Sequence, residues 1–303
     1  MPSNQNPLGA LPARFRRQRV LIVGCGDVGL RVARELAGRV RLLALTTSAQ
    51  RCADLRACGI TPLLGNLDQP ASLRRLAGLA TRVVHLAPPP GQGAGDPRTW
   101  ALLQALRRRS APSSLVYGST SGVYGDCAGA VVTETRPLNA QTARAQRRVA
   151  AEQAMRFYGR CAGVRTSVLR IPGIYAPDRE GGTPRERLLK GTPVLQAGED
   201  VHTNHIHGDD LARACIAALW RGRAQRVVNI NDDTALKMGD YFDLAAGLYG
   251  LARPPRITRA QAQQQLSALQ LSFMSESRRM DNRRMKQELR LTLRYPTVQD
   301  GLR

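Results

Sequence analysis

The sequence predicts an α/β chain: a doubly wound parallel sheet covered by helices on both faces, with a smaller region appended toward the C-terminus. Three observations carry this expectation. Short β-branched apolar runs recur along the first 230 residues, stretches of helical periodicity fall between most of them, and a glycine-rich turn joins the first run to the first helix. At 303 residues the chain is long enough for one large domain or for a core domain carrying a smaller one.

The first run, 20–23, is apolar throughout and stops at Gly24, as a strand buried on both faces should. Across 28–37, Val28, Val32 and Leu36 repeat at helical spacing, and Gly38 supplies the stop. A second strand follows at 42–45, and others are expected at 61–64, 82–87, 114–117, 166–170 and 226–230. Helical patterns lie at 71–79, 99–109, 143–157 and 209–219. Such alternation implies right-handed crossovers, hence a parallel sheet that binds ligands beyond the carboxyl ends of its strands. Residues 88–95, rich in Pro and Gly, read as a loop. Residues 173–204 and the chain after about 235 break the alternation and are expected to cap the carboxyl edge together.

Gly24-Cys25-Gly26-Asp27-Val28-Gly29 matches G-x-G-x-x-G at the junction of the first strand and first helix, the context that gives this motif meaning. Gly24 permits the tight turn, Gly26 lets a phosphate approach the backbone, and Gly29 lets the helix pack against the strand. Asp27 and Val28 begin the helix, whose free N–H groups and partial positive charge suit a pyrophosphate. A dinucleotide, NAD or NADP, is therefore expected, in a Rossmann fold. A carboxylate about 20 residues further on would bind the ribose 2′-OH of NAD. Here the second strand runs into Thr46, Thr47 and Ser48, with Arg51 following. Neutral hydroxyls beside a guanidinium suit a 2′-phosphate, so NADP is favoured, against the plainer reading of Arg51 as one more solvated arginine.

Composition narrows the function classes. A formal charge of +22 invites a polyanionic partner. The arginines are spread through almost every segment, however, and an aromatic content of 4% leaves few stacking platforms, so nucleic acid is not the expected partner. Six scattered cysteines without a C-x-x-C pair read as reduced thiols, and Cys25 as a small filler of the glycine loop. No apolar run approaches the about 18 residues of a membrane span, and the first seventeen residues lack a secretory apolar stretch. A cytoplasmic protein with a flexible tail over 1–17 is expected.

Several ordered phrases resemble the short-chain dehydrogenase/reductase superfamily, in its extended NAD-dependent epimerase/dehydratase-like branch. Val83-Val84-His85-Leu86-Ala87 is similar to the end of that family's fourth strand, and Ser119-Thr120-Ser121-Gly122-Val123-Tyr124-Gly125 to its SSxxVYG segment. Leu169-Arg170-Ile171-Pro172-Gly173-Ile174-Tyr175 resembles LRxxxxYG, and Ile206-His207-Gly208-Asp209-Asp210-Leu211-Ala212 resembles IHVDDLA. Val228-Asn229-Ile230 resembles the next strand. The resemblance implies cofactor contacts at Asn66, Leu86 and Ala87 beside those of the glycine loop, Thr46 and Arg51. It implies a nucleotide-binding unit of 18–172 plus 205–235 and a substrate-side region of 173–204 plus 236–303.

The family's catalytic Tyr and the Lys four residues later fall here on Arg144 and Arg148, counted back from Ala151-Glu152. The i, i+4 spacing keeps both on one helix face, but a guanidinium with a pKa above about 12 cannot act as a general acid near neutral pH. The family's Asn on the preceding helix also has no counterpart, since 88–103 contain none. Thr120 stands at the family's substrate-binding Ser/Thr position, Tyr124 is the replacement acid expected nearby, and Arg148 could hold ribose or a substrate anion. The resemblance thus implies an atypical member: an NAD(P)-dependent oxidoreductase or epimerase-like enzyme on a small molecule, anionic if the arginines hold it. The alternative is a non-catalytic NADP-binding sensor or scaffold.

His202, His205 and His207 near Asp209 and Asp210 offer ligands in a zinc-like mixture. The IHVDDLA-like phrase already accounts for His207 and the aspartates, Asp209 is expected to cap its helix, and no metal is expected. The basic run 278–294 reads as the family's closing segment, a short helix over 282–289 followed by Tyr295-Pro296 and Gly301-Leu302.

Overall fold

A computed structural model describes residues 18–303, apart from the side chain of Leu269; the expected flexible tail, 1–17, lies outside the described residues. Strands β1 (Arg19–Val23), β2 (Arg41–Thr46), β3 (Thr61–Leu64), β4 (Arg82–His85), β5 (Ser114–Thr120), β6 (Arg165–Ile171) and β7 (Arg226–Asn229) form one sheet. Their order is β7-β6-β5-β4-β1-β2-β3, and every neighbouring pair is parallel. This is the doubly wound order, with the switch of direction between β1 and β4.

Helices α1 (Asp27–Leu36), α2 (Arg51–Ala57), α3 (Pro97–Leu106), α4 (Ala143–Ala162) and α5 (Gly208–Arg221) supply the crossovers. The strands bury side chains on both faces, into two separate apolar clusters. One joins Val20, Ile22 and Val84 to α1 and α5, and the other joins Leu21, Val83 and Leu115 to α3 and α4. This two-sided burial is why the strands read as continuous apolar runs rather than alternating ones.

Some elements differ from expectation. The pattern at 71–79 folds as a 3₁₀ helix, Pro70–Leu76, and β4 ends at His85, so that Leu86 and Ala87 turn out of the sheet. Both of their N–H groups bond Val23 O, at 2.7 and 3.1 Å, which ties the end of β4 to the mouth of the glycine loop. Asp209 does not cap α5. His207 does, its Nδ1 accepting from Asp209 N at 3.2 Å, because Gly208 already begins the helix and moves Asp209 into its first turn.

The remaining chain builds a third apolar cluster over the carboxyl edge. It joins Tyr175, Leu188, Val194, Leu195 and Val201 to Met238, Phe242, Met274, Val298 and Leu302. Its main element is helix α6 (Met238–Tyr249), which the sequence reading left unassigned. Gly173–Tyr175 pairs with His205–His207, and Arg279–Met280 with Val131–Val132, so both segments are tied to the sheet domain.

Candidate functional site

The glycine loop leaves β1 at the switch point. Gly24 has φ of +84°, and a Cβ there would stand 2.3 Å from Ala87 N, so only glycine fits between the diverging strands. Gly26 N donates to Gly24 O at 2.9 Å, closing the turn. A Cβ on Gly29 would meet Ile22 Cγ2 at 3.1 Å, the close approach of helix to strand that the motif predicts. A Cβ on Gly26 would meet nothing within 4 Å, so the loop is open on the side that a pyrophosphate would approach. Val28 is half-buried against the α1–α5 cluster.

Charge around the loop is fixed by Arg31, which is 3% exposed. It donates to Asp27 at 3.1 Å, and to Asp178 and Asp209 at 2.5 Å each. One guanidinium offsets one of these three carboxylate charges and bridges all three, so α1, α5 and the 173–204 segment are held together. Cys25 is 4% exposed and its burial pushes the thiol pKa up to about 11, which keeps it protonated and unreactive.

Past β2, the Thr46 hydroxyl accepts from Ser48 N at 3.2 Å. Arg51 begins α2 and reaches back to the glycine loop, its Nη2 donating to Cys25 O at 2.8 Å. A guanidinium therefore stands beside the loop. Asn66 is partly exposed just beyond β3, with Oδ1 accepting from Asp68 N at 2.9 Å in a local turn. Leu86 and Ala87 are half-buried at the end of β4.

A cavity of about 490 Å³ lies between the carboxyl edge of the sheet and the appended region. Thr120, Arg144 and Arg148 line one wall, and residues of 172–187, 202–205, α6 and 272–278 line the rest. Thr142 caps α4 by accepting from Ala145 N at 3.2 Å, and so starts the helix where both arginines face the cavity. Arg148 Nη1 donates to Gly118 O at 2.6 Å and to the Tyr117 hydroxyl at 3.1 Å. The Arg144 guanidinium lies 5.4 Å from the centre of the Phe273 ring. Thr120 Oγ1 accepts from Gly122 N at 3.3 Å.

Tyr124 is not part of this arrangement. It is 1% exposed and does not line the cavity, and its hydroxyl donates to Asn229 Oδ1 at 2.6 Å. Arg170 lies over its ring at 4.7 Å, and burial raises its pKa. The 3₁₀ turn Ser121–Tyr124 carries the chain back under α4, so a residue one short step from Thr120 points into the interior. The structure gives Tyr124 a packing role in place of the expected catalytic one.

The histidines are likewise engaged. His205 stacks on Tyr241 with ring centres 4.1 Å apart, and His207 stands 3.8 Å from Tyr295. Burial lowers the His205 pKa to about 4. Among the described residues no group of three or more His, Cys, Asp or Glu side chains is placed to hold a metal ion.

Sequence reasoning missed several residues of the cavity, among them Arg187, Tyr241, Phe242 and Arg278. No motif marks them, because they come from the segments that break the strand–helix alternation, and in an arginine-rich chain one more arginine carries no signal.

Comparisons with known proteins agree with this architecture. The model of the NAD dependent epimerase/dehydratase family matches residues 20–231. A Methanocaldococcus jannaschii protein, provisionally named UDP-glucose 4-epimerase, is 22% identical over 152 residues, 47% of this chain and 49% of that protein. The chain thus spans about half the length of this curated relative. Among solved structures, a functionally unknown conserved protein from Silicibacter pomeroyi is similar with a TM-score of 0.80 and 31% identity, over 94% of this chain and 96% of that one. UDP-glucose 4-epimerase with UDP-glucose from Thermotoga maritima has a TM-score of 0.77 at 18% identity over the same shares, a likeness of fold.

Proposed function

This chain belongs to the NAD dependent epimerase/dehydratase family, and on that premise we propose that it is an NADP-using oxidoreductase or epimerase-like enzyme acting on a small molecule. The substrate would sit between Thr120, Arg148 and the region formed by 173–204 and 236–303. The observation that carries this reading is the position of the open glycine loop and the cavity at the same carboxyl edge of one sheet, where such folds bind their ligands.

The backbone of Gly24, Gly26, Asp27, Val28 and Gly29 would hold the pyrophosphate, with Asn66, Leu86 and Ala87 beside it. Thr46 and Arg51 would face the adenosine ribose, and the Arg51 bond to Cys25 O supports NADP over NAD. When bound, a nicotinamide cofactor supplies or accepts a hydride. Thr120 offers a hydroxyl to a substrate oxygen, and Arg148 a fixed fork to ribose or to a substrate anion. These guanidinium groups polarise an oxygen without exchanging its proton. The free cysteines support a reducing compartment, the cytoplasm.

A second reading, a non-catalytic NADP-binding sensor or scaffold, is favoured by one observation: Arg144 and Arg148 occupy the family's Tyr and Lys positions while Tyr124 is sealed inside. Oxidation of NADPH against aldehydes, ketones and nucleotide sugars separates the two. Nucleotide sugars belong in the panel because the Thermotoga maritima neighbour is titled a UDP-glucose 4-epimerase with UDP-glucose. Turnover of at least one class above the background of Gly26→Asp is expected. No turnover above that background would replace the enzyme by the sensor.

A further inference from the structure

We infer that the cavity binds the oxyanion of a carboxylated or phosphorylated small molecule on Arg187, a residue that neither the glycine motif nor the Thr120–Arg148 wall includes. The inference rests on the reading of the cavity as a substrate site and names the class of compound it takes.

Arg187 comes from the short helix Arg185–Leu189, whose Leu188 is anchored in the third apolar cluster. Its guanidinium carbon lies over the Phe242 ring of α6, 4.4 Å from the ring centre, and its side chain lines the cavity. Nε and Nη2 are buried without a hydrogen-bond partner, although the residue as a whole stays partly exposed. Burial lowers its pKa, yet an arginine keeps its proton. The result is a full positive charge, held in place by an aromatic ring, with no counter-ion among the described residues.

Other interior arginines are not left this way. Arg31 meets three carboxylates, Arg170 pairs with Glu152 at 2.9 Å, and Arg278 with Glu276 at 2.8 Å. Arg82 and Arg147 lack a carboxylate, but each donates to a backbone carbonyl. Removing a guanidinium from water without an acceptor costs several kcal/mol in general, and buried charges are accordingly paired.

The rest of the cavity has the same sign. Arg144, on the opposite wall, is also backed by an aromatic ring and also lacks a carboxylate partner. Glu276, the acid among the lining residues, is already tied to Arg278. A planar guanidinium presents parallel N–H bonds that match a carboxylate or phosphate, so an oxyanion is the ligand this wall fits.

The test uses the full chain saturated with NADPH, so that the dinucleotide site is filled and cannot report on added anions. Inorganic phosphate and malonate are titrated against chloride at constant ionic strength, with binding read by thermal shift and calorimetry. Phosphate or malonate is expected to raise the melting temperature beyond chloride, and the stronger of the two identifies a phosphoryl or a carboxylate group. Arg187→Met should weaken that binding about ten-fold or more, the loss of one charge-assisted contact, while NADPH affinity stays unchanged. The variant is expected to fold, because it removes a buried charge that has no counter-ion. Arg187→Gln, of similar length and still polar, is the second variant and should show the same loss. Equal shifts by phosphate, malonate and chloride, or wild-type anion affinity in both variants, would overturn the inference. Failure of NADPH itself to bind overturns the functional reading instead, since the comparison of wild type with variants can be made without it.

Discussion

A tyrosine can deliver a proton only where its hydroxyl meets a substrate, and that of Tyr124 is bonded to Asn229 Oδ1 in the interior. Asn229 is itself fully buried and committed through Nδ2 to Val132 O and Asp281 O, so the phenol completes a polar network that joins the 3₁₀ turn after β5, β7 and the C-terminal segment. Tyr124→Phe leaves the Asn229 acceptor without its donor, at a cost of about 1–3 kcal/mol. The expected result is a lower melting temperature with unchanged turnover of whatever substrate is found. A loss of turnover of about 10²–10⁴-fold with stability unchanged would instead make Tyr124 the acid. At the same scale Thr120 and Arg148 both line the cavity, because both are set by ordered elements, the end of β5 and the capped first turns of α4.

The elements that could be read from the sequence are those whose burial is two-sided and repetitive. The inner strands announce themselves because apolar side chains point to both covered faces, whereas the edge strand β3 buries no residue fully, and the G-x-G-x-x-G junction marks where the first helix begins. What escaped has a local cause in each case. Residues 71–79 carry helical spacing, but Pro70 and the tie of Ser72 Oγ to Asn66 O and Gln69 O shorten the turn to 3₁₀ geometry. The 82–87 run is cut at His85 because Leu86 and Ala87 must swing past Gly24 at the switch point. Asp209 looked like a cap by residue type, yet His207 presents an acceptor ring nitrogen two residues earlier and leaves Asp209 free to meet Arg31. Helix α6 and the short helix bearing Arg187 belong to a cluster assembled from two distant segments, so their apolar positions have no single periodic partner to reveal them. The glycine loop was therefore legible, and most of the cavity wall was not.

Across the whole molecule, the appended region is fixed to the sheet domain through groups that make stability depend on pH. Asp232 follows β7, is 1% exposed, and has one carboxylate oxygen with no partner. Burial raises its pKa from 3.8 to about 8. A carboxyl that holds its proton longer in the fold than in the unfolded chain contributes stability that is complete below about pH 4 and is lost as the pH rises toward about 8. Asp232→Asn is expected to flatten that decline, so that melting temperatures measured at pH 6 and pH 9 differ less in the variant than in the wild type; equal differences would show that Asp232 ionises freely. The account's central claim, however, concerns the loop at the switch point and the guanidinium beside it. The most direct measurement is a calorimetric titration of NADPH and NADH into the wild type and Arg51→Ala. The account predicts saturable binding of both, tighter for NADPH, with Arg51→Ala weakening NADPH about ten-fold, the worth of one charge-assisted phosphate contact, and leaving NADH unchanged. Equal losses for the two cofactors, or no binding of either, would contradict it.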